Sequence, residues 1–226
     1  MKLINEDINN SIIFEENKTN ILVIENKKFY VEYIETLLSQ IDGNFGKFSL
    51  FSENKELKIS EKIEVIMNIF DLEINNKKII NKIYAELEKL SMDSEILIET
   101  KNIENELLKY MYHLSEKYDY QLEIEHEIDL KDLFKLFSVK LSSDFSNKLE
   151  EIVEYIELVS KILKKEIFIL INFYTFLTKE EIVELYKECF YKKIKLLFIE
   201  NKKPDIINSE EKLFIIDNDL CEINLL

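Results

Sequence analysis

Glycine is almost missing from the sequence. Only Gly43 and Gly46 occur in 226 residues, and both fall in one short segment. The phosphate loop of a nucleotide-hydrolysing protein needs glycines, which let backbone N–H groups approach the phosphates, and a Lys-Ser/Thr pair where the next helix begins. Residues 26–31 follow an apolar run where that loop would lie, and they read Asn-Lys-Lys-Phe-Tyr-Val. We therefore expect the protein to bind no ATP.

Arginine is absent, so all 30 basic residues are lysine. Lysine binds phosphate as a point charge and lacks the planar fork with which arginine reads guanine edges. Any contact with nucleic acid is therefore expected to be only weakly sequence-specific. The net charge of −15 disfavours nucleic acid over most of the surface, but lysines cluster locally. The clusters are Lys27/Lys28, Lys77/Lys78, Lys161/Lys164/Lys165, Lys192/Lys193/Lys195 and Lys202/Lys203.

Catalytic nucleophiles and soft metal ligands are also scarce. Cys189 and Cys221 are the only cysteines, a usage typical of a reducing compartment. His113 and His126 lie far from both, without the spacing of a zinc site. A GxSxG nucleophile elbow is excluded by the missing glycines. These absences leave nucleophilic catalysis and a zinc site poorly supported.

Long apolar runs are missing too. No run approaches the ~18 residues of a membrane span, and the first residues, MKLINEDINN, lack the apolar core of a signal peptide. We therefore expect a cytoplasmic protein without membrane contact. The hydrophobic fraction of 46%, with 15 Phe and 11 Tyr, indicates a folded globular chain.

Both ends of the chain read as α/β. Short apolar runs predict buried strands, and helical spacing predicts a helix over 28–41 and another that Thr178 and Glu181 cap. A strand–helix–strand order predicts parallel strands joined by right-handed crossovers. The predicted strands are 21–25, 48–51, 167–172, 195–200 and 213–217.

The middle of the chain reads as mainly helical. Helices are predicted over 60–70, 76–91, 93–118 and 144–164, with Ser60 and Asp93 as caps. Residues 120–130 (YQLEIEHEIDL) alternate and predict a strand. The organisation expected is therefore an α/β head from residues 1–59 and 144–226, with 144–164 as connecting helix, and a helical leg inserted at 60–143.

Three carboxylates of the predicted acidic strand, Glu123, Glu125 and Glu127, would share one face. Asp129 could extend the row. Oxygen ligands without thiolates suit calcium better than zinc. Two other interpretations stay open, namely a solvated edge strand and a metal-dependent nuclease or phosphoesterase. A receiver-like signalling protein is a further alternative for residues 21–25, although no phosphoacceptor aspartate is apparent.

In the order of its segments, the chain resembles the Csn-type spacer-acquisition proteins of type II-A CRISPR systems over nearly its full length. The stretches that carry the resemblance are TNILVIENKKFYVEYIETL (19–37), LFSENKELKISEKIEVIMNIFDLEINNKKIINKIYAELEKL (50–90), IFILINFYTFLTKEEIVELYKE (167–188) and KLLFIENKKPDI (195–206) followed by LFIID.

That resemblance implies a head like a P-loop ATPase that has lost nucleotide binding, with a mainly parallel sheet, and a helical leg. It implies a non-catalytic homotetrameric ring that binds double-stranded DNA ends without sequence preference and binds calcium near the junction of head and leg. The implied partners are the CRISPR integrase complex and the RNA-guided effector nuclease. The family's basic inner surface usually includes arginines, and this chain departs from it by offering only lysines.

Two pairs of lysines are the candidate DNA contacts. Lys27 and Lys28 begin the first head helix, where the helix dipole also favours phosphate. Lys131 and Lys135 are spaced i,i+4 after the acidic segment. A subunit with net charge −15 repels DNA almost everywhere, so we expect binding only where a ring brings such lysines together.

Overall fold

The computed structural model describes residues 1–53, 55–205 and 210–225, and the chain divides into two compact units. Unit 1 comprises Met1–Glu73 and Asp144–Leu226, and unit 2 comprises Ile74–Ser143. Ile206, the last residue of one quoted stretch, and Asn54 lie outside the described residues. The unit division places residues 60–73 with unit 1, whereas the sequence pattern assigned them to the helical insertion.

The elements run in this order along the described chain: β1 (Lys2–Asn5), β2 (Ile12–Ile13), β3 (Thr19–Ile24), α1 (Lys27–Ile41), β4 (Phe48–Ser52), β5 (Lys55–Leu57), α2 (Ile59–Lys62), β6 (Ile63–Ile66), α3 (Lys77–Ser91), α4 (Leu97–Ser115), α5 (Leu130–Leu136), α6 (Lys148–Leu163), β7 (Ile167–Ile171), a 3-10 turn (Phe173–Thr175), α7 (Lys179–Tyr191), β8 (Lys195–Glu200), β9 (Glu211–Ile216) and β10 (Glu222–Leu225).

A six-stranded sheet lies at the centre of unit 1, in the order β10-β9-β3-β8-β7-β6. Every neighbouring pair is parallel except β9 and β10, which pair antiparallel. All residues of β3 and β7 are buried, because helices and a second sheet cover such parallel strands. The prediction of an α/β fold with a mainly parallel sheet is therefore confirmed.

A smaller antiparallel sheet, in the order β2-β1-β4-β5, belongs to the same unit. Its buried residues Leu3 and Leu50 share a core cluster with Leu22 of β3 and with Tyr33 and Leu37 of α1. The second sheet and α1 thus close a hydrophobic core against the six-stranded sheet. The short strands β1, β2 and β5 had no counterpart in the sequence-based prediction.

Helix ends in unit 1 are fixed by side-chain caps. Thr178 forms the predicted capping box with Glu181 at the start of α7. The helix predicted over 144–164 begins later, at Lys148, because Asn147 is its N-cap and accepts a hydrogen bond from the N–H of Glu150. Helix α7 buries Ile182 and Leu185, in contact with β8.

Unit 2 contains three helices among its described residues, α3, α4 and α5. The Tyr84 hydroxyl of α3 donates to the carbonyls of Phe134 (3.3 Å) and Val139 (3.0 Å) and so ties α3 to the end of α5. Helix α4 contains no buried residue. Its apolar side chains therefore remain accessible in the isolated chain.

Three predictions about the middle of the chain are wrong. The helix over 60–70 is one turn, α2, followed by β6, since the Ile63 and Ile66 positions pair with β7. Ser60 is not a cap, because Lys58 precedes α2. Asp93 precedes a turn rather than a helix, and α4 begins at Leu97.

The predicted strand over 120–130 is also wrong. Residues 121–129 have no regular secondary structure, and α5 begins at Leu130 behind its N-cap Asp129. Ile124 and Ile128 are partly buried, so the alternation reflects partial burial without a partner strand.

As for membranes, no described helix combines the length and apolarity that a bilayer crossing requires.

Candidate functional site

The carboxyl ends of the parallel strands bring together Asn26, which follows β3, Asn172, which follows β7, and Glu200, which ends β8. Ligands of open α/β sheets bind at this edge, where the order of the strands reverses. The edge of the six-stranded sheet between β3, β7 and β8 is therefore the place to look for a site.

The start of α1 is closed by the chain itself. The Asn26 side-chain oxygen accepts hydrogen bonds from the N–H groups of Lys28 and Phe29, both at 3.1 Å, and its Nδ2 donates to the Asn218 carbonyl at 2.8 Å. Those N–H groups are the ones with which a helix start binds phosphate. The Asn26 side chain thus already accepts hydrogen bonds from these N–H groups, and the absence of ATP binding stays a prediction.

Glu200 places a buried carboxyl group at the same edge of the sheet. The residue is 3% exposed, and its Oε1 accepts the N–H of Tyr174 at 3.2 Å. Burial raises the pKa of Glu200 to about 7, although hydrogen bonds from the Tyr174 and Phe173 N–H groups oppose the shift. The sequence analysis missed this residue, and its position as the acid that ends the apolar run LLFIE (196–200) could have revealed it.

A cavity of about 270 Å³ lies beside Glu200. Lys179, Lys202 and Lys203 line it, and Lys179 forms an ion pair with Asp205 at 3.0 Å. The Asn172 side-chain oxygen accepts the N–H of Asn201 at 3.3 Å and so holds the start of the Lys202–Lys203 segment. The sequence had marked Lys202 and Lys203 only as a surface cluster.

The four candidate DNA-binding lysines fall into the two units. Lys27 and Lys28 are exposed at the start of α1, in unit 1, and the described residues contain no ion pair with either. Lys131 and Lys135 lie in unit 2, where they pair with Glu88 and Asp132 at 2.7 and 2.8 Å. Hydrogen bonding to these carboxylates raises the pKa of both lysines. Of the two pairs, Lys27 and Lys28 are the more available for a phosphate.

The candidate metal ligands Glu123, Glu125 and Glu127 are exposed in the irregular segment 121–129. The shared face expected of a strand is lost with the strand itself. Nowhere in the described ranges do three or more His, Cys, Asp or Glu side chains come together as a metal site. The three glutamates therefore do not form a prepared site for calcium.

The cysteines and histidines do not assemble a catalytic group among the described residues. Burial raises the pKa of the Cys189 thiol to about 12, so this thiol carries almost no thiolate near neutral pH. His126 lies 3.0 Å from the Tyr112 hydroxyl through Nδ1, and both side chains are exposed. Neither arrangement contains the three groups of a hydrolase site, namely a nucleophile, a base that activates it and a third group that orients the base.

Comparison with known sequences gives one consistent result. Residues 40–220 match the profile of a family described as "CRISPR-associated protein (Cas_Csn2)". The "CRISPR-associated protein Csn2" of Enterococcus faecalis is 25% identical over 196 residues, which cover 83% of this chain and 85% of that protein. The protein of the same name from Streptococcus agalactiae is 24% identical over 210 residues, 89% of this chain and 92% of that protein.

Solved structures similar to this chain include two ATP-binding cassettes of ABC transporters. One, in its ADP conformation, has a TM-score of 0.49 at 12% identity and covers 100% of this chain and 92% of its own. The other, which is nucleotide-free, has a TM-score of 0.46 at 15% identity and covers 99% of this chain and 92% of its own.

Proposed function

The chain belongs to the Cas_Csn2 family of CRISPR-associated proteins, and from this premise we propose that it is a non-catalytic protein that binds the ends of double-stranded DNA as a ring during spacer acquisition. In this role it serves antiviral defence without cutting or joining DNA. Its proposed partners, beside DNA, are the CRISPR integrase complex and the RNA-guided effector nuclease.

One observation carries the proposal, namely the start of α1. Its N–H groups are capped by Asn26, while the exposed ammonium groups of Lys27 and Lys28 stand at the positive end of the helix dipole. Such a site cannot enclose a nucleotide phosphate, but it can attract the phosphate backbone of DNA from outside. Charge attraction without base contacts supports binding that is independent of sequence.

The net charge of the chain supports assembly around the DNA. Each subunit carries −15, so Lys27 and Lys28 of a single copy attract DNA from a surface whose net charge repels it. A symmetric ring repeats the same lysines around its axis and concentrates them there. An acidic exterior then leaves a free DNA end as the entrance, which is the reason to propose end binding.

Helix α4 gives a second and independent reason to propose self-association. It has no buried residue, although it carries a substantial number of apolar side chains. Adjoining exposed apolar side chains usually mark contacts with other chains. We propose that α4 contributes to the homotetramer. Its exposed apolar residues include Ile98, Ile103, Tyr110, Met111 and Leu114.

Calcium stays a prediction from family resemblance. Because Glu123, Glu125 and Glu127 are exposed and not gathered, binding would require segment 121–129 to rearrange around the ion.

A gel-shift comparison of linear with covalently closed circular DNA of the same sequence tests the proposal. We expect a salt-sensitive shift of the linear form and none of the circle, at equal strength for unrelated sequences. Equal binding to both forms would exclude end recognition. Magnesium-dependent loss of the DNA itself would instead support the nuclease or phosphoesterase alternative.

A further inference from the structure

The cavity beside Glu200 is bounded by a turn that buried partners hold in place. Tyr174, in the 3-10 turn after β7, lines the cavity, and its N–H donates to Glu200 Oε1 at 3.2 Å. Its hydroxyl lies 2.6 Å from the hydroxyl of Tyr186 and donates to Glu211 Oε1 at 3.1 Å. Tyr186 and Glu211 are both buried. A satisfied network of this kind is rigid, so one wall of the cavity has a fixed position.

A second wall of the cavity is the segment that follows β8. The N–H of Asn201 donates to the Asn172 side-chain oxygen at 3.3 Å, which ties the start of this segment to the end of β7. The next two residues, Lys202 and Lys203, line the cavity. The cavity is therefore built from the segments that leave two neighbouring parallel strands at their carboxyl ends, where open α/β sheets bind their ligands.

The unpaired charge around the cavity is positive. Lys179 and Asp205 form an ion pair at 3.0 Å and so offset one another. Lys202 and Lys203 are exposed, and the described parts of the chain contain no ion pair with either. Because burial raises the pKa of Glu200 to about 7, its carboxyl group is partly protonated at neutral pH and repels an anion less than an ionised carboxylate would. The cavity therefore suits a small anion.

The shape of the cavity restricts which phosphate can enter. A water molecule needs roughly 10–15 Å³ of such space, so the volume of about 270 Å³ has room for a phosphate group and its waters. A phosphate inside the DNA backbone is linked on both sides and cannot leave the duplex surface, whereas a terminal phosphate is linked on one side only. As a monoester, the terminal phosphate also carries about −1.5 to −2 charges, more than the single charge of a backbone phosphate.

The cavity and the lysines that begin α1 share one end of the sheet. Strand β3, which precedes α1, pairs with β8, which ends at the cavity. Tyr30 lies three residues after Lys27 in α1. Burial raises the pKa of the Tyr30 hydroxyl to about 12, and the nearby charge of Glu200 contributes to this rise. The start of α1 and the cavity therefore adjoin one another within unit 1.

We propose that this cavity binds the terminal phosphate of a DNA end, a phosphate monoester, through Lys202 and Lys203. The assignment rests on the proposed function, because it names the chemical group by which a DNA end differs from the interior of a duplex. Lys27 and Lys28 attract the adjacent backbone, and the cavity adds an interaction that a closed circle cannot make.

A free phosphate ester has the same chemistry, but two exposed lysines hold it weakly. Each solvated ammonium group contributes little on its own. When the phosphate belongs to a duplex that Lys27 and Lys28 already attract, its effective concentration at the cavity is raised. These charges therefore favour the terminal phosphate of bound DNA over a free phosphate or nucleotide.

Fluorescence anisotropy with one linear duplex, prepared with phosphate or with hydroxyl groups at its strand termini, tests the proposal. We expect the wild type to bind the phosphorylated duplex at least several-fold more tightly. Lys202→Gln combined with Lys203→Gln should bring the ratio of the two affinities close to one. Lys77→Gln combined with Lys78→Gln is the matched control, because it removes the same charge from exposed positions of unit 2 and should keep the wild-type ratio.

Inorganic phosphate distinguishes the two sources of the ligand. At millimolar concentration it should leave the preference for phosphorylated DNA intact, as should chloride at the same ionic strength. If inorganic phosphate removed the preference and chloride did not, the cavity would be a site for free phosphate, and the assignment to a DNA end would be overturned.

Other outcomes separate this inference from the proposed function. Suppose that linear DNA is preferred over the closed circle but binds equally with and without terminal phosphates. End binding would then stand, and the terminal-phosphate site would be overturned. A preference for phosphorylated termini that survives the loss of Lys202 and Lys203, or that the control variant also loses, would likewise overturn the site. Equal binding of the closed circle and the phosphorylated linear duplex would overturn both.

Discussion

Two side chains characterise the edge of the parallel sheet. Asn26 takes the N–H groups of α1 for itself, and Glu200 places a buried carboxyl group beside them. The missing glycines could be read from the sequence, and they predict a helix start without a phosphate loop. Neither the cap by Asn26 nor the burial of Glu200 could be read there, because both depend on strands that are distant in sequence.

The first prediction at this scale concerns ATP. Because Asn26 occupies the N–H groups that a phosphate would need, we expect titration calorimetry with ATP and Mg²⁺ to show no saturable heat up to millimolar nucleotide. Binding of linear DNA by the same preparation is the control for a folded protein. A micromolar affinity for ATP would contradict the assignment of this helix start.

The second prediction concerns Glu200→Gln. Burial raises the pKa of Glu200 from 4.5 to about 7, so between these pH values the unfolded chain has lost a proton that the folded chain keeps. The free energy of unfolding of the wild type therefore falls as pH rises through this window. The loss is on the order of 3 kcal/mol. Above pH 7 it is complete.

Urea unfolding at pH 5 and pH 8 measures this effect. Glutamine is neutral at both pH values, so the variant should gain stability relative to the wild type on going from pH 5 to pH 8. Glu35→Gln, at an exposed position of α1, is the control for the loss of a carboxyl group at the surface. Parallel pH profiles for the wild type and Glu200→Gln would show that the carboxyl group is ionised throughout.

At the scale of elements, apolar runs were reliable where burial is complete. Residues 21–25, 167–172 and 195–200 were predicted as strands and form β3, β7 and β8, because buried parallel strands are apolar on both faces. The prediction of a helix over residues 60–70 was wrong because the spacing of Ile63, Ile66 and Ile69 also fits a helix. Ile63 and Ile66 lie in the strand β6 because they pair with β7, which lies about a hundred residues away along the chain.

The prediction of a strand in the acidic segment 121–129 was wrong because the segment has no partner strand. Its alternation fits a strand, but a strand also needs a neighbour with free hydrogen-bonding groups. The described residues around it form helices. Alternation alone could not supply that neighbour, and the shared face of Glu123, Glu125 and Glu127 disappeared with it.

A calcium titration belongs to this segment. If the three glutamates bind calcium after rearranging, a hundredfold excess over Kd should stabilise the fold by about 2.7 kcal/mol. For a chain of this length, that corresponds to a rise in Tm of roughly 5–10 °C. Glu125→Gln should lose most of the rise, whereas Glu35→Gln should keep it. A Tm that is equal in calcium and in EDTA would remove these residues from consideration.

At the scale of the whole molecule, charge has to be concentrated before DNA can bind. Lys27→Glu combined with Lys28→Glu should weaken binding equally for every sequence. It should also reduce the slope of log K against log salt by about 2 or more, since each lost phosphate contact removes about 0.9. Fluorescence anisotropy with linear DNA at several salt concentrations measures both quantities.

The chain contains its own matched control for this experiment. Asn76, Lys77 and Lys78 begin α3 with the same residues and the same cap as Asn26, Lys27 and Lys28, but they lie in unit 2. Changing Lys77 and Lys78 to glutamate alters the net charge by the same amount. If this variant reduced the slope as much as the first, the effect would reflect total charge, and the DNA would not lie at α1.

The order of the central strands also has a consequence for how the protein is made. Strand β3 lies between β8 and β9, so Leu22 pairs with Ile199 and with Phe214. At a synthesis rate of about 5–20 residues per second, this apolar strand waits roughly 10–35 s for its first neighbour to leave the ribosome. Contacts so distant in sequence also slow folding itself. The nascent chain therefore keeps a strand that is fully buried in the fold unpaired until synthesis is nearly complete, which makes it a natural client for chaperones.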